Sequence, residues 1–81
     1  MENHLEIKGN VIRKEILDSG IFVLQLMEND NYGSFEVVEL ICNPINAYSI
    51  DSVYKWRASN LGEANIIFER KLNELKEILL L

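Results

Sequence analysis

The segment IFVLQLMENDNYGSFEVVELIC, residues 21–42, decides the fold because it holds two apolar runs separated by a polar one. β-Branched and aromatic residues favour strands, and the central NDNYGS, residues 29–34, is rich in residues that form turns. The segment therefore predicts two antiparallel strands, at about residues 21–28 and 35–42. Neither strand has a polar face, which indicates a sheet that is covered on both sides.

The segment that precedes this hairpin, HLEIKGNVIRKEIL at residues 4–17, alternates apolar and polar residues and predicts a long first strand. The alternation changes phase near Gly9 and Asn10, which indicates a β-bulge at that point. DSG at residues 18–20 then predicts a tight turn in which Gly20 takes a positive φ.

Downstream of the hairpin, Pro44 lacks a backbone N–H and predicts a loop over residues 43–49. A short fourth strand is expected at about residues 50–58. Residues 61–80 predict a helix, because apolar side chains recur at intervals of three and four. Asn60 is a suitable N-cap for this helix, and Glu63 follows at the spacing of a capping box.

These elements predict one α+β domain spanning residues 1–81, a small antiparallel sheet of three to four strands in the order β-β-β-β-α. The single C-terminal helix is expected to pack on one face of the sheet. The apolar second face then needs a cover, which a curled sheet, the long first strand or a second copy of the chain could supply.

Of these covers we favour a homo-oligomer, most simply a twofold dimer, with a monomer whose sheet closes on itself as the alternative. The self-association surface is expected to contain five apolar side chains: Val23, Met27, Val38, Leu40 and Ile66.

The charge pattern points to a protein partner. The net charge is -5, and the stretch from Glu15 to Tyr54 carries seven acidic residues and no lysine or arginine. An acidic surface speeds association with a basic protein, whereas binding to nucleic acid normally requires a basic one. The expected protein-binding residues are Glu28, Asp30, Glu36, Glu39 and Asp51. The alternative is that these acids only keep an apolar chain soluble.

The sequence therefore favours a small acidic protein-binding or regulatory module without enzymatic activity. One specific form would be an inhibitor, of the kind that phages use, which occupies a basic surface of its target. A homo-oligomeric assembly component is the first alternative. A nucleic-acid-binding module that uses Lys55, Arg57 and Trp56 is the second. Tyr54 and Trp56 are expected on one strand face, either for recognition or for packing under the helix.

Catalytic and metal chemistry finds little support in the residues. His4 and Cys42 are the single imidazole and the single thiol, so they provide neither a four-ligand zinc set nor a disulfide. No glycine-rich phosphate loop is present. We expect no catalytic residue, no metal and no cofactor. The N-terminus lacks the apolar core of a signal peptide and no apolar run could span a membrane, so a cytoplasmic location is expected.

Two segments resemble the WGR domain, a small sheet-plus-helix module associated with nucleic-acid-processing proteins. They are GIFVLQLMEND, residues 20–30, and SNLGEANIIFERKLNELK, residues 59–76. The resemblance covers roughly residues 19–76. The Trp-Gly-Arg signature is replaced by ELICNP at residues 39–44. The resemblance therefore implies the fold class alone, and no functional residue is carried over from the family.

Overall fold

The computed structural model describes residues 9–29, 33–45 and 49–80 of the chain. These residues form a four-stranded antiparallel sheet in the order β1-β2-β3-β4, followed by one helix. The expected α+β class and element order are confirmed. The elements are β1 (Asn10–Leu17), β2 (Phe22–Asn29), β3 (Ser34–Cys42), β4 (Ile50–Ala58) and α1 (Leu61–Leu79).

The first strand differs from the sequence expectation in the position of its β-bulge. β1 begins at Asn10, and the predicted residues 4–8 lie outside the described ranges. The bulge predicted at residues 9–10 is wrong in position, since the ladder between β1 and β2 shifts at Ile12. The turn at residues 18–20 is confirmed, and Gly20 has a φ of 95°.

The bulge matters because it turns Arg13 towards the helix. Val11 pairs with Met27, but Arg13 pairs with Leu26, so one residue is skipped and the strand faces are exchanged. The Arg13 guanidinium then donates to Asn65 Oδ1 at 3.1 Å and to Glu69 Oε1 at 2.7 Å. This fork ties the outer strand β1 to α1.

The helix begins where the sequence predicts it. The Asn60 side-chain oxygen accepts a hydrogen bond from the Glu63 backbone N–H at 2.8 Å, which confirms the N-cap. The Glu63 carboxylate in turn accepts from the Ser59 hydroxyl at 3.2 Å. Within the described ranges no helix is long and apolar enough to cross a membrane.

The main core lies between α1 and one face of the sheet. Phe68, at its centre, is fully buried, and the Arg13 guanidinium stacks 4.2 Å from the centroid of its ring. Helical spacing brings the buried helix residues onto one side. Towards its C-terminal end the predicted apolar stripe of α1 is buried as far as Leu75, whereas Ile78 and Leu79 in the last turn are exposed. The core cluster comprises Leu24, Leu26, Val37, Ala58, Ala64, Phe68 and Leu72.

The second face of the sheet carries a smaller core. Val23, Val38 and Leu40 are at most 1% exposed, and Met27 packs against them. The single chain therefore covers the centre of this face, so these three residues offer no surface to a second copy. Gly9 lies on this side as well, since a Cβ added to it would stand 3.0 Å from the Met27 methyl carbon.

Of the five residues expected to self-associate, Ile66 on α1 is the exposed one, at 62%. It lies on the helix and not on the sheet face that carries the other four. The self-association of the chain stays a prediction, and Ile66 is the member of the predicted set that a second copy could contact directly.

Loss of the helix cap should destabilise the fold measurably. Replacing Asn60 by Ala removes the acceptor for the Glu63 N–H and should lower the free energy of unfolding by about 1 kcal/mol. Urea denaturation followed by circular dichroism would measure it. Asn73→Ala, at an exposed position in the middle of α1, is the matched control. An equal loss in both variants would contradict the capping role.

On the sheet face opposite α1, a charged side chain should destabilise the fold at the buried centre but not at the exposed edge strand. Val38→Asp places a carboxylate at a position that is 1% exposed, and should lower the free energy of unfolding by several kcal/mol. Val53→Asp, on the neighbouring strand at a 44% exposed position, is the control and should change it by less than about 1 kcal/mol. If Val38→Asp stayed folded and only changed the oligomeric state, Val38 would belong to an interface.

Candidate protein-binding groove

A groove of about 350 Å³ lies between the C-terminal half of α1 and the strands β3 and β4. The groove is lined by side chains from these three elements, namely Glu39, Ile41, Tyr54, Trp56, Lys71, Glu74, Leu75 and Ile78.

The strand alternation places the groove on the helix side of the sheet. Glu39 is the register partner of Tyr54, and Val37 is the register partner of Trp56. These residues share the face that carries the main core. The core fills this face beneath the first part of α1, but the helix ends its close packing at Leu75. The sheet surface beyond Trp56 is therefore left open on one side.

Two stacked aromatic rings form the floor of the groove. The ring centroids of Tyr54 and Trp56 are 6.3 Å apart, with an angle of 23° between the ring planes. Trp56 packs partly against the main core, whereas Tyr54 is 50% exposed. The sequence left open whether these aromatic side chains pack under the helix or serve recognition. In the structure Trp56 packs under the helix, whereas Tyr54 is half exposed to solvent.

A small charge cluster closes the helix side of the groove. The Lys71 ammonium lies 4.4 Å from the centroid of the Trp56 ring and 3.2 Å from Glu74 Oε2. The half-buried Glu39 carboxylate faces this pair. Burial raises the pKa of Glu39, the Lys71 ammonium lowers it, and the Glu74 carboxylate raises it further. The net rise means that Lys71 does not fully compensate the burial of the charged form.

The predicted acidic residues do not form one surface. Glu36 and Glu39 lie on opposite faces of β3, and Arg57 approaches Glu36 to 3.8 Å. Glu28 is exposed at the other end of the sheet. Asp51 is exposed near the start of β4, where it accepts a hydrogen bond from the Asn43 amide.

The fifth of these acids, Asp30, lies outside the described residues. Among the four that are described, Glu39 is the one that lines the groove. Of the described acids expected to bind a protein, the groove therefore contains one, Glu39.

Sequence reasoning missed the part of the groove that the helix supplies. In the sequence, Lys71 and Glu74 belong to the polar side of the predicted helix, and Ile78 belongs to its apolar stripe. The signal that could have revealed the groove is Glu39, which occupies a helix-facing strand position between the apolar Val37 and Ile41. An ionisable residue at such a position opposes burial and often marks a functional site.

Reactive side chains are scarce in the part of the chain that the structure describes. It contains no group of three or more potential metal ligands. The Cys42 thiol is buried at the end of β3, and His4 lies outside the described residues. Lys55 and Arg57 are exposed, but the strand alternation places them on the face opposite Trp56. These cations and the aromatic ring therefore do not share one binding surface.

The burial of Glu39 should be visible in the pH dependence of stability. Because its pKa is higher in the folded chain than in the unfolded chain, the folded state binds the proton more readily. The free energy of unfolding should rise as the pH falls through the raised pKa. Glu39→Gln removes the charge, so it should be more stable than the native chain at pH 7. The two should be nearly equal at about pH 4, where an ordinary glutamate is already largely protonated.

Thermal unfolding between these two pH values would measure the effect. Glu28→Gln removes an exposed carboxylate from the same sheet face and serves as the control. The same gain in both variants, or a gain from Glu39→Gln that persists undiminished at the lower pH, would contradict this assignment.

Comparison with known proteins gives no relative for this fold. The chain matches no protein-family model, and neither a curated protein nor a solved structure shows significant similarity to it. The resemblance of two segments to the WGR domain is therefore not supported by a family match.

Proposed function

We propose that the protein is a small acidic protein-binding module without enzymatic activity, which docks a segment of a partner protein in the groove between α1 and the β3–β4 pair. The observation that carries the proposal is the stacked Tyr54–Trp56 pair at the groove floor, with Tyr54 half exposed. Tyrosine and tryptophan dominate the binding energy of protein interfaces, since they bury a large area with few rotatable bonds.

The dimensions of the groove favour a segment over a whole surface. A volume of about 350 Å³ is near the lower end of the range for small-ligand sites and has room for a few side chains. Ile41 and Ile78 add apolar contact beside the aromatic rings. A partner would therefore insert one or two side chains here, and the surrounding surface would exclude water.

The charge of the chain favours a basic partner. A net charge of -5 would steer a basic protein towards this molecule over a longer range than any single contact. An inhibitor that covers a basic surface of its target is one form of such a module. The acids outside the groove would contribute to the rate of encounter, and Glu39 would contribute within it.

A homo-oligomeric assembly component is the second candidate function, because apolar side chains are exposed on the outer side and at the end of α1. Ile66, Ile78 and Leu80 are 62%, 60% and 86% exposed. Ile78 also lines the groove, so self-association through the helix end would compete with the docking of another protein.

Site-specific photo-crosslinking would test the proposal. A benzophenone amino acid in place of Ile78 lies at the groove, whereas the same residue in place of Ile66 lies on α1 at similar exposure but outside the groove lining. In lysate from the source cells we expect a crosslinked partner from position 78 and not from position 66. Adding Tyr54→Ala should reduce its yield about tenfold, as for an interface hot spot.

The crosslinked mass distinguishes the two candidate functions. A product of twice the chain mass from position 78 would favour the homo-oligomer. Equal products from both positions, or a product that is insensitive to Tyr54→Ala, would contradict docking in the groove.

A further inference from the structure

The groove already contains a cation, and this cation belongs to the chain itself. Lys71 Nζ lies 4.4 Å from the centroid of the Trp56 ring, which is within the distance of a cation–π interaction. It also pairs with Glu74 at 3.2 Å. The face of Trp56 and the neighbouring carboxylates therefore form a position that accepts an ammonium group.

The cation position has more negative than positive charge around it. Glu39 and Glu74 supply two carboxylates, and Lys71 supplies one ammonium group. Glu39 is half-buried, and both the Lys71 ammonium and the Glu74 carboxylate act on its charge. The groove therefore keeps a net negative charge, which attracts a cation.

The ion pair between Lys71 and Glu74 is weak. Glu74 stands three residues further along the same helix, and such pairs stabilise a helix by only a few tenths of a kcal/mol. The lysine stem has four rotatable carbons, so Lys71 can move into solvent without a change in the backbone. Glu74 and the face of Trp56 would then be free to receive another cation.

Resting on the proposed function, we infer that Lys71 is an internal occupant of the cation position, and that the docked segment is a basic one whose lysine or arginine side chain replaces it over Trp56. The incoming cation pairs with Glu74 and Glu39. An apolar residue next to it in the segment contacts Tyr54, Ile41 and Ile78. Charge complementarity selects the basic residue, and the aromatic floor selects the apolar neighbour.

Removing the Lys71 ammonium should raise the affinity of the groove for the basic segment, although most substitutions in a binding site lower affinity. Lys71→Met keeps most of the stem and removes the competing cation. Arg70→Gln removes the same charge from the adjacent exposed position, which does not line the groove. If net charge alone mattered, the two variants would behave alike.

Titration with short blocked peptides would test it, with the fluorescence of Trp56 as the signal, because it is the single tryptophan of the chain. The probes are acetyl-Ala-Leu-Lys-Leu-Ala-amide and the same peptide with Gln in place of Lys. The native chain should bind the lysine peptide more tightly. Lys71→Met should bind it about three- to fivefold more tightly again, as expected for about 1 kcal/mol of competing cation–π interaction.

Arg70→Gln should change the affinity less than twofold, and Glu39→Gln should weaken it. If Lys71→Met bound the lysine peptide no better than Arg70→Gln, the inference would be overturned. Equal binding of the lysine and glutamine peptides would also overturn it, but would leave docking in the groove intact. If neither peptide bound and position 78 gave no specific crosslink, the proposed function itself would fail.

Discussion

The structure depends on one constraint: β2 and β3 are apolar on both faces, while the described chain supplies one helix to cover them. The helix covers the face of Leu24 and Leu26, and the opposite face of Val23 and Val38 is buried separately. Two small cores on one sheet leave little surplus apolar surface at the centre of the molecule. Most of the apolar side chains that stay exposed lie on the edge strands β1 and β4 and along α1, including Ile66 and the last turn of the helix.

The position of α1 decides where the groove opens. Its start is fixed by Ala58 at the end of β4 and by the cap at Asn60. Its first half is held by Phe68 in the core and by the fork of Arg13 from the far edge of the sheet. Because these contacts hold the first half of the helix, its last turns extend beyond the core. The groove is thus a consequence of a helix that is longer than the core beneath it.

Local rules were sufficient to predict most of the fold. The two apolar runs in residues 21–42, the turn at Gly20 and the cap at Asn60 each depend on neighbours in sequence, so each could be predicted directly. The bulge could not be placed correctly, because its position at Ile12 is set by the pairing of β1 with β2 and by the contact of Arg13 with α1. That contact joins residues 52 positions apart, and alternation within one strand carries no information about it.

Contacts between residues distant in sequence also limited what could be predicted of the site. It placed Tyr54 and Trp56 on one face, as observed, because strand parity is a local property. It grouped Glu36 with Glu39 by charge, although strand parity alone places the two acids on opposite faces, as the register confirms. Lys71 could not be assigned to the groove at all, since its place over Trp56 depends on how the helix crosses the sheet.

The location of Glu39 also bears on why the chain is acidic. An acid that serves solubility is most favourable at an exposed position, such as those of Glu28 and Asp51. Glu39 is half-buried, its pKa is raised, and its charge therefore opposes folding. Solubility would account for the exposed acids, but it gives no reason for a carboxylate whose burial raises its pKa. The proposed docking of a basic segment would use this carboxylate to attract a cation, and the adjacent Lys71 offsets part of its cost in the free chain.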